Sequence, residues 1–285
     1  PAFRSPVYCA LDTTDLAQAM AWATAIKPWV GGIKLGLEFF NAHGPQGIEK
    51  MRALGLPVFA DLKLHDIPNT VAGGIRAVLP LGVSIVNVHA SGGQAMMRAA
   101  AEAAATAGAN RPKVIGVTVL TSLDADDLAA VGVNSTPAEQ VVRLASLAKT
   151  SGLDGVVCSA HEIEPLRKAL DHHFMLIVPG IRPAGADAGD QKRVMTPREA
   201  MQVHTFHRRI AQEHTGEQRW HEQQVQRVVA EVAREYRDIL RHRDDVAQLV
   251  LLPLQDPERL PVADHRRAVH VGHPHLVRIG RLAQQ

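Results

Sequence analysis

The chain has 285 residues, of which 46% are hydrophobic, 21% charged and 4% aromatic, with a formal net charge of +2. That balance excludes a disordered chain and gives no electrostatic reason to expect a nucleic-acid partner. No apolar run reaches the roughly 18 residues that a membrane span needs, and the two distant cysteines, Cys9 and Cys158, read as buried thiols, so the expectation is a cytoplasmic protein without membrane contact.

Short β-branched runs at 7–11, 32–35, 58–62, 85–88, 114–119, 155–158 and 174–178 predict strands. They do not alternate cleanly, as expected of parallel strands buried on both faces. Helical spacing predicts helices over 15–26, with Thr14 or Asp15 as cap, and over 46–54, stopped by Gly55. Two more follow, over 94–107, stopped by Gly108, and over 138–150, entered from Pro137 and ended near Gly152. The alternation reads as seven β-then-α units with right-handed parallel crossovers, and seven units ask for an eighth to close a barrel. The expected fold is α/β, a TIM (β/α)8 barrel with an atypical or missing eighth unit and a helical C-terminal extension. An open doubly wound sheet is the alternative, weakened because no Gly-rich dinucleotide loop follows the first run.

The polar residues at the C-terminal ends of these runs are Asp12, Lys34, Asp61, Lys63, His89, Thr121 and Arg182. That is the face on which such barrels build their sites. Residues two apart in an extended strand face the same side, so Asp61 and Lys63 should both point into the barrel mouth. Asp66 should follow in a loop, stiffened by Pro68 and capped by Asn69 and Thr70. A lysine between two carboxylates stays protonated, which suits a proton donor. The plain alternative is a structural ion pair at a strand end. It accounts for an isolated Asp-x-Lys, but no structural need dictates the whole run from Asp61 to Thr70. His65 and His89 read as hydrogen-bonded structural residues, and His172 and His173 as surface residues.

The run Asp61-Leu-Lys63-Leu-His-Asp66-Ile-Pro-Asn-Thr70 resembles the hallmark of the orotidine 5′-phosphate decarboxylases. Ala10-Leu-Asp12, Ile33-Lys34-Leu-Gly36, Asn87-Val-His-Ala90 and Val117-Thr-Val-Leu-Thr121-Ser122 are similar to that family's other strand motifs. So are Pro179-Gly-Ile-Arg182 and the segment from Gly189 through Gln191 to Pro197. The resemblance runs from about Pro6 to Met201, the bacterial branch fitting without gaps.

The resemblance implies that Lys63 protonates C6 of the pyrimidine as carbon dioxide leaves, with Asp61 against the departing carboxylate. Lys34, Asp61, Lys63 and Asp66 would form an alternating charge network. Asp12 and Lys34 would hold the ribose hydroxyls, and Thr121 and Ser122 the ribose or the pyrimidine edge. Pro179, Arg182 and Gln191 belong to the substrate site, the latter two reaching the phosphate region. Asp66 and Thr70 would reach into a neighbouring subunit's site, making an obligate homodimer. No metal or organic cofactor is implied. A related barrel that decarboxylates a sugar phosphate on the same charged core is a second reading, opposed by Ile67-Pro-Asn-Thr70 and the Gln191 loop. A non-catalytic remnant with a helical interaction tail is a third.

After Met201 the sequence changes character. Lysine disappears, glycine falls to Gly216, Gly272 and Gly280, and histidine becomes dense from His204 to His275. The expected division is therefore a barrel over 1–202 and an Arg/His-rich, partly helical segment over 203–285. The latter holds a charged helical pattern over 217–240 and a possible strand over 246–254. The family's eighth strand ends in a phosphate-binding Gly-Arg pair, which the ungapped match places at Ala211 and Gln212. Neither His207-Arg208-Arg209-Ile210 nor Val277-Arg-Ile-Gly280-Arg281 lies at that spacing. His270-x-x-His273-x-His275 carries no convincing metal-ligand spacing. The departure suggests a shifted reading frame or a gene fusion after about Gln202, with weakened phosphate binding as its consequence.

Overall fold

Strand β1 (Val7–Ala10) pairs in parallel with β2 (Gly32–Leu35). The same pairing runs on through β3 (Val58–Leu64), β4 (Ile85–His89), β5 (Lys113–Val117), β6 (Gly155–Val157) and β7 (Met175–Ile181). The computed structural model describes residues 5, 7–171, 173–181 and 249–251. All seven predicted strands are present, with no end shifted by more than three residues. A short strand, β8 (Leu249–Leu251), lies antiparallel between β7 and β1 and closes the sheet into a barrel. It falls inside the run expected to form a strand, but it runs against its neighbours, whereas a β-then-α repeat would bring the eighth strand in parallel.

The helices are α1 (Leu16–Ile26), α2 (Leu37–Arg52), α3 (Pro68–Val78), α4 (Gly93–Ala105), α5 (Ala125–Ala130), α6 (Pro137–Thr150) and α7 (Ile163–Ala169). Caps set their starts. Asp15 accepts the Gln18 N–H at 3.0 Å to begin α1. Thr136 and Glu139 exchange side-chain-to-backbone bonds across the first turn of α6, with Pro137 at the position where a missing N–H is harmless. Gly55 stops the chain after α2 with a φ of +79°, as its type suggests.

Four helices differ from expectation. Helix α2 starts nine residues before the predicted 46 and is broken at Gly44, where φ is +59° ahead of Pro45. Only its second half carries the periodic pattern. Helix α3 occupies what the sequence suggested was a stiffened loop: Pro68 stands in its first turn, and Thr70 is inside it. Gly73 and Gly74 dilute its signal, but Val71, Ala72, Ile75 and Val78 are buried along one face. Packing therefore overrides weak intrinsic propensity. Helices α5 and α7 are short (6 and 7 residues), below the length at which periodicity is legible.

The core has two layers. Tyr8, Phe59, Ile85, Ile115, Met175 and Ile177 fill the barrel's inside. Ile33, Val58, Val86, Val114, Val156 and Leu176 belong to the larger apolar layer shared with the helices, which includes Ile26, Phe39, Ile48 and Ile75. Gly155 is required by closeness: a Cβ there would stand 2.3 Å from the Met175 carbonyl oxygen. At the base, Asp154 accepts from both Arg111 guanidinium nitrogens (3.0 and 2.5 Å), from Lys113 Nζ (3.1 Å) and from the Val114 N–H (2.9 Å). This pins the start of β5 to the chain entering β6. The packed inner layer keeps polar residues to the two ends of the barrel.

Candidate active site

Asp12 follows β1, Lys34 lies on β2, and Asp61 and Lys63 lie on β3, so three neighbouring strands deliver four charges to one rim. Asp61 is the hub. Lys34 Nζ is 2.9 Å from its Oδ2, and Lys63 Nζ donates to its Oδ1 at 2.7 Å. Asn87, on β4, donates its Nδ2–H to the same Oδ1 at 2.7 Å. Asp12 Oδ1 stands 4.0 Å from Lys34 Nζ. The side chains of Lys34 and Asp61 are 8% and 10% exposed, and that of Lys63 is 32% exposed, so Lys63 is the accessible cation.

Burial pushes the Asp61 carboxyl up, but the Lys34 and Lys63 charges and the bonds from Lys63 and Asn87 outweigh it, holding Asp61 well below the usual carboxylate range. Burial pulls Lys34 down, and Asp61 and Asp12 more than reverse that, so its pKa is raised. Both groups are therefore ionised at neutral pH, in a setting where unpaired charges would be strongly disfavoured. A cavity of about 260 Å3 opens over them, lined by Asp12, Lys34, Asp61 and Lys63 and, among others, by Val119, Thr121 and Pro179.

Asp61 and Lys63 do converge, but not through the alternation of an extended strand. The register of β3 against β4 shifts between Ala60 and Leu64. Lys63 has a φ of +49° and is the only non-glycine residue with positive φ among those described. A side chain in that region costs about 1–2 kcal/mol. The bulge turns Lys63 back over Asp61, and its N–H is taken by Asn87 Oδ1 at 2.8 Å. Such bulges re-aim side chains beside active sites.

Thr121 and Pro179 line the cavity, whereas Ser122 is half-buried and outside the lining. Within this chain the charge network runs Asp12–Lys34–Asp61–Lys63. Asp66 stands apart from it, exposed, with its Oδ1 accepting the Ile67 N–H at 2.6 Å. Thr70 is exposed in the first turn of α3. The His65 and His89 rings lie 5.4 Å apart. Burial, then His65 and Lys63, lower the His89 pKa against the opposing pull of Asp61. Arg182, Gln191, His172, Ala211, Gln212, the helical pattern over 217–240 and the tail histidines lie outside the described residues. No helix among the described residues is long and apolar enough to cross a membrane.

Asn87, to which the sequence reading gave no role, bonds both Lys63 and Asp61. Its signal was a carboxamide inside a buried apolar strand, where polar groups need partners. It is 1% exposed.

The model of the orotidine 5′-phosphate decarboxylase / HUMPS family matches residues 5–207. The orotidine 5′-phosphate decarboxylase of Sphingopyxis alaskensis is 55% identical over 197 residues, covering 69% of this chain and 86% of that protein. The protein of the same name from Paramagnetospirillum magneticum is 53% identical over 200 residues, covering 69% and 85%. Among solved structures, the orotidine 5′-phosphate decarboxylase of Lactobacillus acidophilus superposes with a TM-score of 0.59 at 36% identity, over 70% of this chain and 86% of that one. A conserved protein of Geobacillus kaustophilus gives a TM-score of 0.60 at 30% identity, over 80% and 98%. With the seven parallel strands, the charged rim of β1–β3 and a family match over most of its length, this chain belongs to the orotidine 5′-phosphate decarboxylase / HUMPS family.

Proposed function

We propose that this chain decarboxylates orotidine 5′-phosphate to uridine 5′-phosphate, a carboxy-lyase step of pyrimidine biosynthesis, without metal or organic cofactor. The observation that carries the reading is the Lys34–Asp61–Lys63 chain of charges at the wall of the cavity. The C6–carboxylate bond breaks with its electron pair left on C6. Lys63, the accessible cation, stabilises that pair as it develops and delivers the proton that forms the C6–H bond. Asp61, kept anionic by its two lysines, stands against the substrate carboxylate and disfavours it relative to the neutral carbon dioxide that leaves. Lys34 and Asp12 hold the ribose hydroxyls, and Thr121 and Ser122 take the ribose or the pyrimidine edge. Pro179, Arg182 and Gln191 complete the substrate site, the last two toward the phosphate.

The working unit in this reading is a homodimer in which Asp66 and Thr70 complete the neighbouring subunit's site. Their exposure supports this, as does Ile67 between them, an apolar side chain 68% exposed. The enzyme is placed in the cytoplasm, with no nucleic-acid or membrane partner.

The barrel over 1–202 is followed by an atypical eighth unit within 203–285. The antiparallel course of β8 and the presence of Ala211 and Gln212 where a Gly-Arg pair is expected support that view. It implies weakened phosphate binding and a raised KM, and a shifted reading frame or fusion after about Gln202 as the origin. Sequencing the coding DNA across codons 195–215 decides the origin: if no single-base change restores a Gly-Arg pair, the frameshift explanation falls.

Loss of orotidine 5′-phosphate absorbance on adding the purified chain tests the activity. Turnover that disappears in Lys63→Ala supports the reading. No turnover at any substrate concentration favours the non-catalytic alternative, and turnover retained in Lys63→Ala removes the role given to Lys63.

A further inference from the structure

Lys63 does not reach Asp61 by default. An extended backbone at this position would keep β3 in register with β4, yet the register shifts between Ala60 and Leu64 and Lys63 adopts a φ of +49°. A non-glycine residue holds that conformation only where its surroundings over-determine it. Asn87 is the one described side chain that bonds both parts of the bulge. Its Oδ1 accepts the Lys63 N–H at 2.8 Å, and its Nδ2–H donates to Asp61 Oδ1 at 2.7 Å. That same carboxylate oxygen receives Lys63 Nζ at 2.7 Å. The carboxamide therefore fixes the backbone from which Lys63 springs and the anion on which its ammonium rests. A carboxamide offers an uncharged acceptor and an uncharged donor in one rigid plane whatever the pH.

We infer that Asn87 is a positioning residue for the proton donor: it locks Lys63 into the left-handed bulge and orients the Asp61 carboxylate beneath its ammonium. The inference rests on the decarboxylase reading for its kinetic consequence, but its structural content is independent of that reading. The charged and titratable groups around Asn87 are Asp61 and Lys63 from β3, Lys34 from β2, and His89 two residues further along β4.

The experiment compares the full chain with Asn87→Ala and Asn87→Asp, using orotidine 5′-phosphate turnover across pH, thermal melting to verify folding, and a crystal structure of Asn87→Ala. In Asn87→Ala, kcat falls about a hundredfold with a much smaller change in KM, the scale expected when a reacting group is displaced by about an ångström. In the crystal, Lys63 leaves the left-handed region. Asn87→Asp has nearly the same shape. At low pH its neutral carboxyl can still accept the Lys63 N–H and donate its O–H to Asp61, so turnover exceeds that of Asn87→Ala. As pH rises the introduced carboxyl ionises against Asp61, the donor is lost, and kcat falls along a limb that the unmodified chain lacks. A merely structural asparagine would not create that limb.

The inference is overturned if Lys63 keeps its positive φ and its contact with Asp61 in the Asn87→Ala crystal. It is equally overturned if both variants show the unmodified chain's kcat and pH profile. If the unmodified chain shows no turnover, the decarboxylase reading fails, and the crystal structure alone decides the inference. Should Asn87→Ala not fold, the pH profile of Asn87→Asp decides it.

Discussion

Lys34 Nζ stands 2.9 Å from Oδ2 of Asp61, and neither side chain is more than 10% exposed. The two ions replace each other's water. Lys63 and Asn87 occupy the other carboxylate oxygen, so Lys34 alone answers for Oδ2 among the described partners. Lys34→Met should therefore lower stability by about 3 kcal/mol, the low end for breaking a buried pair, because Asp61 keeps its other two donors. Urea unfolding measures this. An unchanged midpoint would show that Lys63 and Asn87 suffice.

The pH dependence of stability follows from the same groups. The folded-state pKa of Asp61 is depressed, so its contribution is present above the unfolded carboxylate value, about 4, and is lost as pH falls through its lower folded value. That of Lys34 is raised, so its contribution is present below about 10.4 and is lost as pH climbs through the folded value. His89 has a lowered pKa, so the unfolded chain binds its proton more readily, and stability falls as pH drops below about 6.5. Stability measured against pH should form a plateau bounded by these limbs. His89→Gln should flatten the slope just below neutrality while leaving the more acidic limb in place.

The proposed dimer is checked by complementation. Lys63→Ala and Asp66→Ala should each be inactive alone. Mixed and allowed to exchange, they should regain turnover, since one site of each mixed dimer then has an intact Lys63 and an intact Asp66 from the other subunit. No recovery after proven exchange would place Asp66 outside the neighbouring site. Ile67→Arg should shift sedimentation toward the monomer and lower activity with it.

Asp154 tests the barrel base rather than the site. Its carboxylate is 9% exposed and gathers donors from Arg111, Lys113 and the Val114 N–H. Asp154→Ala leaves the buried Val114 N–H without its acceptor, while water can answer the partly exposed Arg111 and Lys113, and should cost about 1–3 kcal/mol by chemical denaturation. KM should hardly move, because the cavity opens at the opposite end of the strands.

The chain's own residues determined the strand succession and marked out the charged groups of the candidate site. Runs such as 7–11 and 174–178 are short and uniformly apolar, as parallel strands buried on both faces are, and local pattern carries that information. The Asp61–Thr70 run named the chemistry because no packing demand would select that whole string. Helix α3 was hidden because its stability comes from burying Val71 and Ile75 against other elements, while Gly73 and Gly74 argue locally for a loop. The aim of Lys63 was decided by tertiary structure alone. Strand alternation predicted the right convergence for the wrong reason, since the bulge depends on the register of β3 against β4 and on a carboxamide 24 residues further along the chain. The direction of β8 is of the same kind: its apolar run was legible, but polarity within a sheet is set by which neighbours' backbone groups it meets, and those come from β7 and β1.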